Sequence, residues 1–176
     1  MKYYKYLDEE SFIGGAARYL ETDRGRAVRE VSLNGDVCLA SNILYPHWGM
    51  LLAEGRVEYD EVVTPISKSE FDEAWNKNLT QTAARWLIAK FAYPIGTPVQ
   101  GSIVIFYPQG VIVDLGRCVL GAADYEACRN STKAELMYPK HKVTAVVKDY
   151  DESNQWLILD SPTVHAEQIE ELRPSG

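Results

Sequence analysis

The sequence predicts an α+β protein, with a small hairpin-and-helix domain over residues 1–92 and a five-stranded β-barrel with a C-terminal tail over 93–176. Three observations carry this reading. Asn34-Gly35 separates two apolar segments of strand character, and Ser67 and Glu70 stand at the spacing of a helix start. "AYPIGTP" at 92–98 marks the point where helical periodicity gives way to strand alternation.

In chain order, Gly14 and Gly15 suit a turn or bulge. "AARYLET" at 16–22 leads through "DRGR" into "AVREVSL", which ends at Asn34-Gly35. Asn-Gly tolerates the positive φ angles of a type I′ turn, so "AVREVSL" and "DVCLAS" at 36–41 are expected to pair as an antiparallel hairpin. Ser67 and Glu70 form a capping box for a helix from about 68 to 77, stapled by Ile66. Phe71, Ala74 and Trp75 fall at helical spacing and should bury one face against the hairpin. Residues 80–91 are compatible with a continued helix and with a strand. Beyond the proline-rich boundary, strands are expected at 98–106, 110–115, 118–123, 142–150 and 155–160, with turn or helical material at 124–139.

Composition narrows the function. The chain has 176 residues, 46% of them hydrophobic, enough for a sizeable core. Its 18 Lys+Arg against 25 Asp+Glu give a net charge of -7, and each half is more acidic than basic. This disfavours general affinity for polyphosphate, which is driven by counterion release, and favours a basic partner. Cys38, Cys118 and Cys128 form no C-x-x-C pair and fit reduced thiols in a cytosolic protein. No secretory leader or membrane-length apolar run is seen, so a cytoplasmic location without membrane contact is expected. The sequons at Asn78 and Asn130 then carry no weight.

The residues offer little chemistry. His47, His141 and His165 lack the close spacing of a zinc site, and Cys38 with His47 makes too few donors, so no metal is expected. Cys118 or Cys128 with His141 and Asp124 has no accompanying oxyanion loop or electropositive thiol setting. Gly14-Gly15 lacks the Lys-Ser/Thr of a phosphate loop. The expectation is a non-enzymatic chain with no catalytic, cofactor-binding or metal residues.

Five short strands with a longer connection before the fourth match the plan of an OB-fold, a Greek-key barrel. "IGTPVQGSIVIFYPQGVIVDLG" at 95–116 and "YPKHKVTAVVKDYDESNQWLILD" at 138–160 resemble the two ends of the RNA-binding domain named after ribosomal protein S-one. The resemblance rests on Gly96, Val99, Gly101, Gly110, Asp114, Val143, Val147, Asp151, Leu157, Leu159 and Ser161. It implies RNA binding through the second and third strands, with candidates Phe106, Tyr107, Arg117, Tyr125, Lys142 and Lys148. Single-strand binding needs stacking platforms and a positive groove. This chain departs from the family there: Ile112 stands where an aromatic is usual, and Gly121-Ala122-Ala123-Asp124 where a His or aromatic is usual.

"RYLETDRGRAVREVSLNGDVCLAS" followed by "ISKSEFDEAW" resembles small uncharacterised bacterial domains found among immunity proteins of polymorphic toxins. That resemblance implies capture of a basic protein such as a toxin domain. The acidic stretches at 8–10, 54–61, 149–153 and 167–171, taken with "LYPHWG" at 44–49, suggest aromatic anchors rimmed by acid and nominate Tyr45, Trp48, Glu58, Asp60 and Glu61 as partner contacts.

Overall fold

The computed structural model of the protein describes residues 1–11, 13–52 and 63–169. It is a mixed α+β chain, mostly strand, in two compact units, Met1–Ile88 and Ala89–Gly176. The division falls a few residues ahead of the expected boundary.

The first unit is an antiparallel sheet of β1 (Lys2–Asp8), β2 (Ala16–Asp23), β3 (Arg26–Asn34), β4 (Val37–Ala40) and the two-residue β5 (Thr64–Pro65), in the order β4-β3-β2-β1-β5. The β3–β4 hairpin forms as expected, but Asn34 pairs with Val37, which leaves Gly35 and Asp36 as the central residues. Only Gly35 has positive φ, at 58°, a pattern that fits type II′ and corrects the type I′ expectation. The turn with two left-handed residues is the preceding one, Arg24-Gly25, between β2 and β3.

Helix α1 (Lys68–Ala92) shows the Ser67 half of the expected capping box: the Ser67 hydroxyl accepts the Glu70 N–H at 3.1 Å. The Glu70 carboxylate pairs with Lys5 on β1. The helix runs far beyond residue 77 and takes in 80–91, which resolves the open choice. Phe71, Ala74, Trp75, Asn78, Trp86 and Ala89 are all buried, a spacing that only a helix reproduces, and no Gly or Pro interrupts it before Pro94. Phe71, Ala74 and Trp75 pack with Val31 and Ala40 of the sheet, with Ile66 against the same cluster. Asn78, one of the sequon asparagines, is buried and donates to the Asn42 side-chain oxygen at 2.9 Å.

The second unit contains β6 (Pro98–Tyr107), β7 (Gly110–Asp114), β8 (Leu120–Ala123), α2 (Tyr125–Asn130), a 3-10 turn (Ala134–Leu136), β9 (His141–Asp151) and β10 (Trp156–Gln168). β7 pairs with β6 and β8, β6 with β9, and β9 with β10; β10 then pairs in parallel with β8, so the sheet closes on itself as a barrel. β10 is longer than expected and contains register shifts; Ser161, with φ 51°, lies between Asp160 and Thr163 where one occurs. Ile103, Val111, Val113, Val143, Val147 and Leu157 are almost wholly buried. Gly101 lets β6 and β7 approach: a Cβ there would sit 2.1 Å from the Asp114 carbonyl oxygen.

Candidate functional site

In the first unit, strand alternation and register divide the sheet's side chains between two faces. Tyr3, Tyr19, Val31 and Leu33 pack against the core cluster that includes Phe71 and Trp75 of α1. On the same face Arg29 pairs with the buried carboxylate of Glu21, and its guanidinium lies 5.1 Å from both the Phe71 and Trp75 rings. The cross-strand pairs Tyr6↔Arg18, Arg18↔Ser32 and Leu20↔Glu30 place these residues on the opposite face, away from α1.

There Arg18 is held from three sides. Its Nη1 donates to Asp8 Oδ2 at 2.9 Å, its Nη2 pairs with Glu30 Oε1, and its guanidinium lies 5.3 Å from the Tyr6 ring. The Glu30 side chain is 7% exposed. Burial pushes its carboxyl up, and Arg18 offsets only part of that; burial likewise pushes the Tyr6 phenol up to about 12. These residues adjoin a cavity of about 320 Å³, also lined by Glu10, Ser11, Ile13 and Leu39. The Ser11 hydroxyl and Arg18 Nε are buried with no hydrogen-bond partner among the described residues.

Of these groups the sequence reading names only Asp8 and Glu10, as part of the acidic "DEE" at 8–10; Tyr6, Arg18 and Glu30 are not singled out. A faint signal existed: Arg18 and Ser32 are polar yet sit in strands between apolar residues. Only the register brings Asp8, Arg18 and Glu30 together across three strands.

Of the expected partner contacts, Tyr45 and Trp48 belong to a tight turn closed by reciprocal backbone bonds between Tyr45 and Gly49. Tyr45 is largely committed to structure: its phenol oxygen accepts the Ala40 N–H at 2.8 Å, and burial raises its pKa to about 12. Trp48 is 44% exposed, its ring 6.0 Å from that of Tyr45. Glu58, Asp60 and Glu61 lie outside the described residues.

The barrel treats the RNA candidates unevenly. Tyr107 is buried and packs against Trp156 at 6.4 Å, so it offers no stacking platform. Phe106 is half-buried and meets the exposed Tyr125 edge-on at 6.0 Å. Arg117 is exposed in the β7–β8 turn. Lys142 pairs with Glu167 at 2.9 Å and Lys148 with Asp160 at 3.6 Å, which halves the appeal of a basic stripe. Ile112 is fully buried. Asp124 is the N-cap of α2 and accepts the Ala127 N–H.

The paper combination of Cys118, Cys128, His141 and Asp124 gains nothing from the fold. Cys118 is exposed in the β7–β8 turn, while Cys128 is fully buried, its thiol pushed up to about 11 by burial and by Asp124. His141 Nδ1 lies 3.0 Å from the His165 carbonyl oxygen, a contact that holds the ring in the barrel wall. Among the described residues, no three His, Cys, Asp or Glu side chains converge as a metal site, and no helix is long and apolar enough to cross a membrane.

Comparison with protein-family models, curated proteins and solved structures finds no match to this chain.

Proposed function

We propose that the protein is a non-enzymatic cytoplasmic binding protein of the immunity type, which neutralises a basic toxin domain by direct contact through the acidic surface of its first unit. The second unit is then an S-one-like OB barrel retained as scaffold. The parallel β8–β10 pairing, with α2 between β8 and β9, supports the OB plan.

The observation that carries the functional reading is the three-strand cluster of Asp8, Arg18 and Glu30. It presents carboxylates in excess of cations beside a cavity, in a chain of net charge -7. Acidic surfaces of this kind accelerate the capture of basic partners and tolerate few competitors. The barrel supports the same reading, because Lys142 and Lys148 already face acids and Ile112 is inaccessible.

The test is co-purification with basic domains encoded beside this chain, followed by calorimetry across a salt series. A one-to-one complex that weakens with salt and blocks the toxin's activity is expected. The exposed Tyr125 beside Phe106 favours one rival reading, RNA binding by the barrel. Steeply salt-dependent RNA affinity, reduced by Arg117→Ala or Lys142→Ala, with no protein partner, would overturn the immunity reading.

A further inference from the structure

We propose that the cavity on the face of the N-terminal sheet turned away from α1 receives a basic side chain, a guanidinium or an ammonium, presented by a protein partner. For the partner this rests on the immunity reading; for the chemistry it rests on the cavity itself.

Charge comes first. Asp8, Glu10 and Glu30 line the cavity against the single guanidinium of Arg18, so its walls are net negative. Both terminal nitrogens of Arg18 are engaged by Asp8 and Glu30 and its plane rests near Tyr6, so two carboxylates already match its charge and only its buried Nε lacks a partner. A phosphate or carboxylate entering here would meet three acids, whereas a cation would meet acceptors. The Ser11 hydroxyl, buried and unpartnered, adds an acceptor at the same wall.

Size and polarity agree. A volume of about 320 Å³ lies at the bottom of the range for small-ligand sites, suited to one side chain rather than to a cofactor. Ile13 and Leu39 supply apolar wall, which the methylene stem of an arginine or lysine covers while its charged head reaches the carboxylates. Glu30 adds a reason for such a guest to stay. Its carboxylate is buried and Arg18 offsets only part of the desolvation, so a second cation meets an incompletely compensated charge.

The experiment is an amide chemical-shift titration of the isotope-labelled full chain at low salt with N-acetyl-arginine amide, using the norleucine and glutamate analogues as controls. Shifts confined to residues around Asp8, Arg18, Glu30 and Ser32, seen with the arginine probe and absent with both controls, are expected. Glu10→Gln, at an exposed position, should weaken the probe by about threefold, the effect of one partly solvated charge. Ser11→Leu, which fills the wall, should abolish it, with an otherwise unchanged spectrum reporting an intact fold. Equal binding of the glutamate or norleucine probe, or shifts mapping elsewhere, overturns the proposal. A toxin complex indifferent to Glu10→Gln and Ser11→Leu overturns the cavity's role and leaves the immunity reading standing. Arginine binding at the cavity without any toxin partner does the reverse.

Discussion

Asp124 accepts the backbone N–H of Ala127 at 2.7 Å and so closes the first turn of α2. The acid that stands where an RNA-binding barrel usually offers a His or aromatic is therefore a helix cap. Replacing it with Ala should cost about 1 kcal/mol, the ordinary value of a lost N-cap, read from the denaturant midpoint. Asp124→His should be destabilised similarly and gain no RNA affinity, measured by fluorescence anisotropy at low salt.

The approach of β6 to β7 at Gly101 gives a second prediction. A methyl group there meets the Asp114 carbonyl oxygen at 2.1 Å, and that atom belongs to the backbone and has no rotamer to escape by. Gly101→Ala should destabilise the barrel unit by about 1–3 kcal/mol, the scale of overpacking, in a chemical denaturation experiment.

How far the sequence foretold this depends on the range of the interaction involved. Short-range signals served well. Ser67 caps α1, Phe71 and Trp75 face the sheet, and the Gly-punctuated segments from residue 98 become strands in the expected places. The extent of α1 was not legible because "ARWLIAKF" has a composition that serves either secondary structure, and burial of Trp86 and Ala89 decided it. Of the site, only the acids at 8–10 stood out in the sequence. Asp8, Arg18 and Glu30 are separated by ten and twelve residues, and only the pairing register makes them neighbours.

Arg29 and Glu21 form the corresponding pair on the other face, where Glu21 is buried. Arg29→Met should cost about 3 kcal/mol because it strands a buried carboxylate. The double variant Arg29→Met with Glu21→Gln should recover part of that loss, a coupling measurable by a double-mutant cycle in urea.

Thiol chemistry should distinguish the three cysteines. Burial raises both Cys38 and Cys128 to about 11, so at neutral pH each has almost no thiolate, whereas Cys118 is exposed. Brief treatment of the native protein with iodoacetamide should label Cys118 alone, located by peptide mass spectrometry. Cys118→Ser should remove the fast phase.

Alkaline titration offers a further check. Tyr6 and Tyr45 are raised mainly by burial to about 12, against an unfolded value of 10.0. Between these values the unfolded chain loses phenolic protons that the native one keeps, so stability falls as pH rises through that window and is flat with respect to these groups below it. Ultraviolet difference spectra should show late-ionising tyrosines, Tyr6 and Tyr45 among them, and Tyr6→Phe should flatten the alkaline slope.

The closed cycle of pairings in the second unit has a consequence for how the protein meets other chains. A closed barrel has no terminal strand, although β8 meets β10 only over Leu157–Leu159 and the rest of β10 pairs with β9 alone. The first unit is different: its sheet ends in the four-residue β4, where Val37 is 51% exposed, and in the two-residue β5. Short terminal strands limit unwanted growth of a sheet but do not abolish it. The two sheet ends of the first unit lie in the unit that carries the acidic cavity, so pairing of another chain there would compete with its guest.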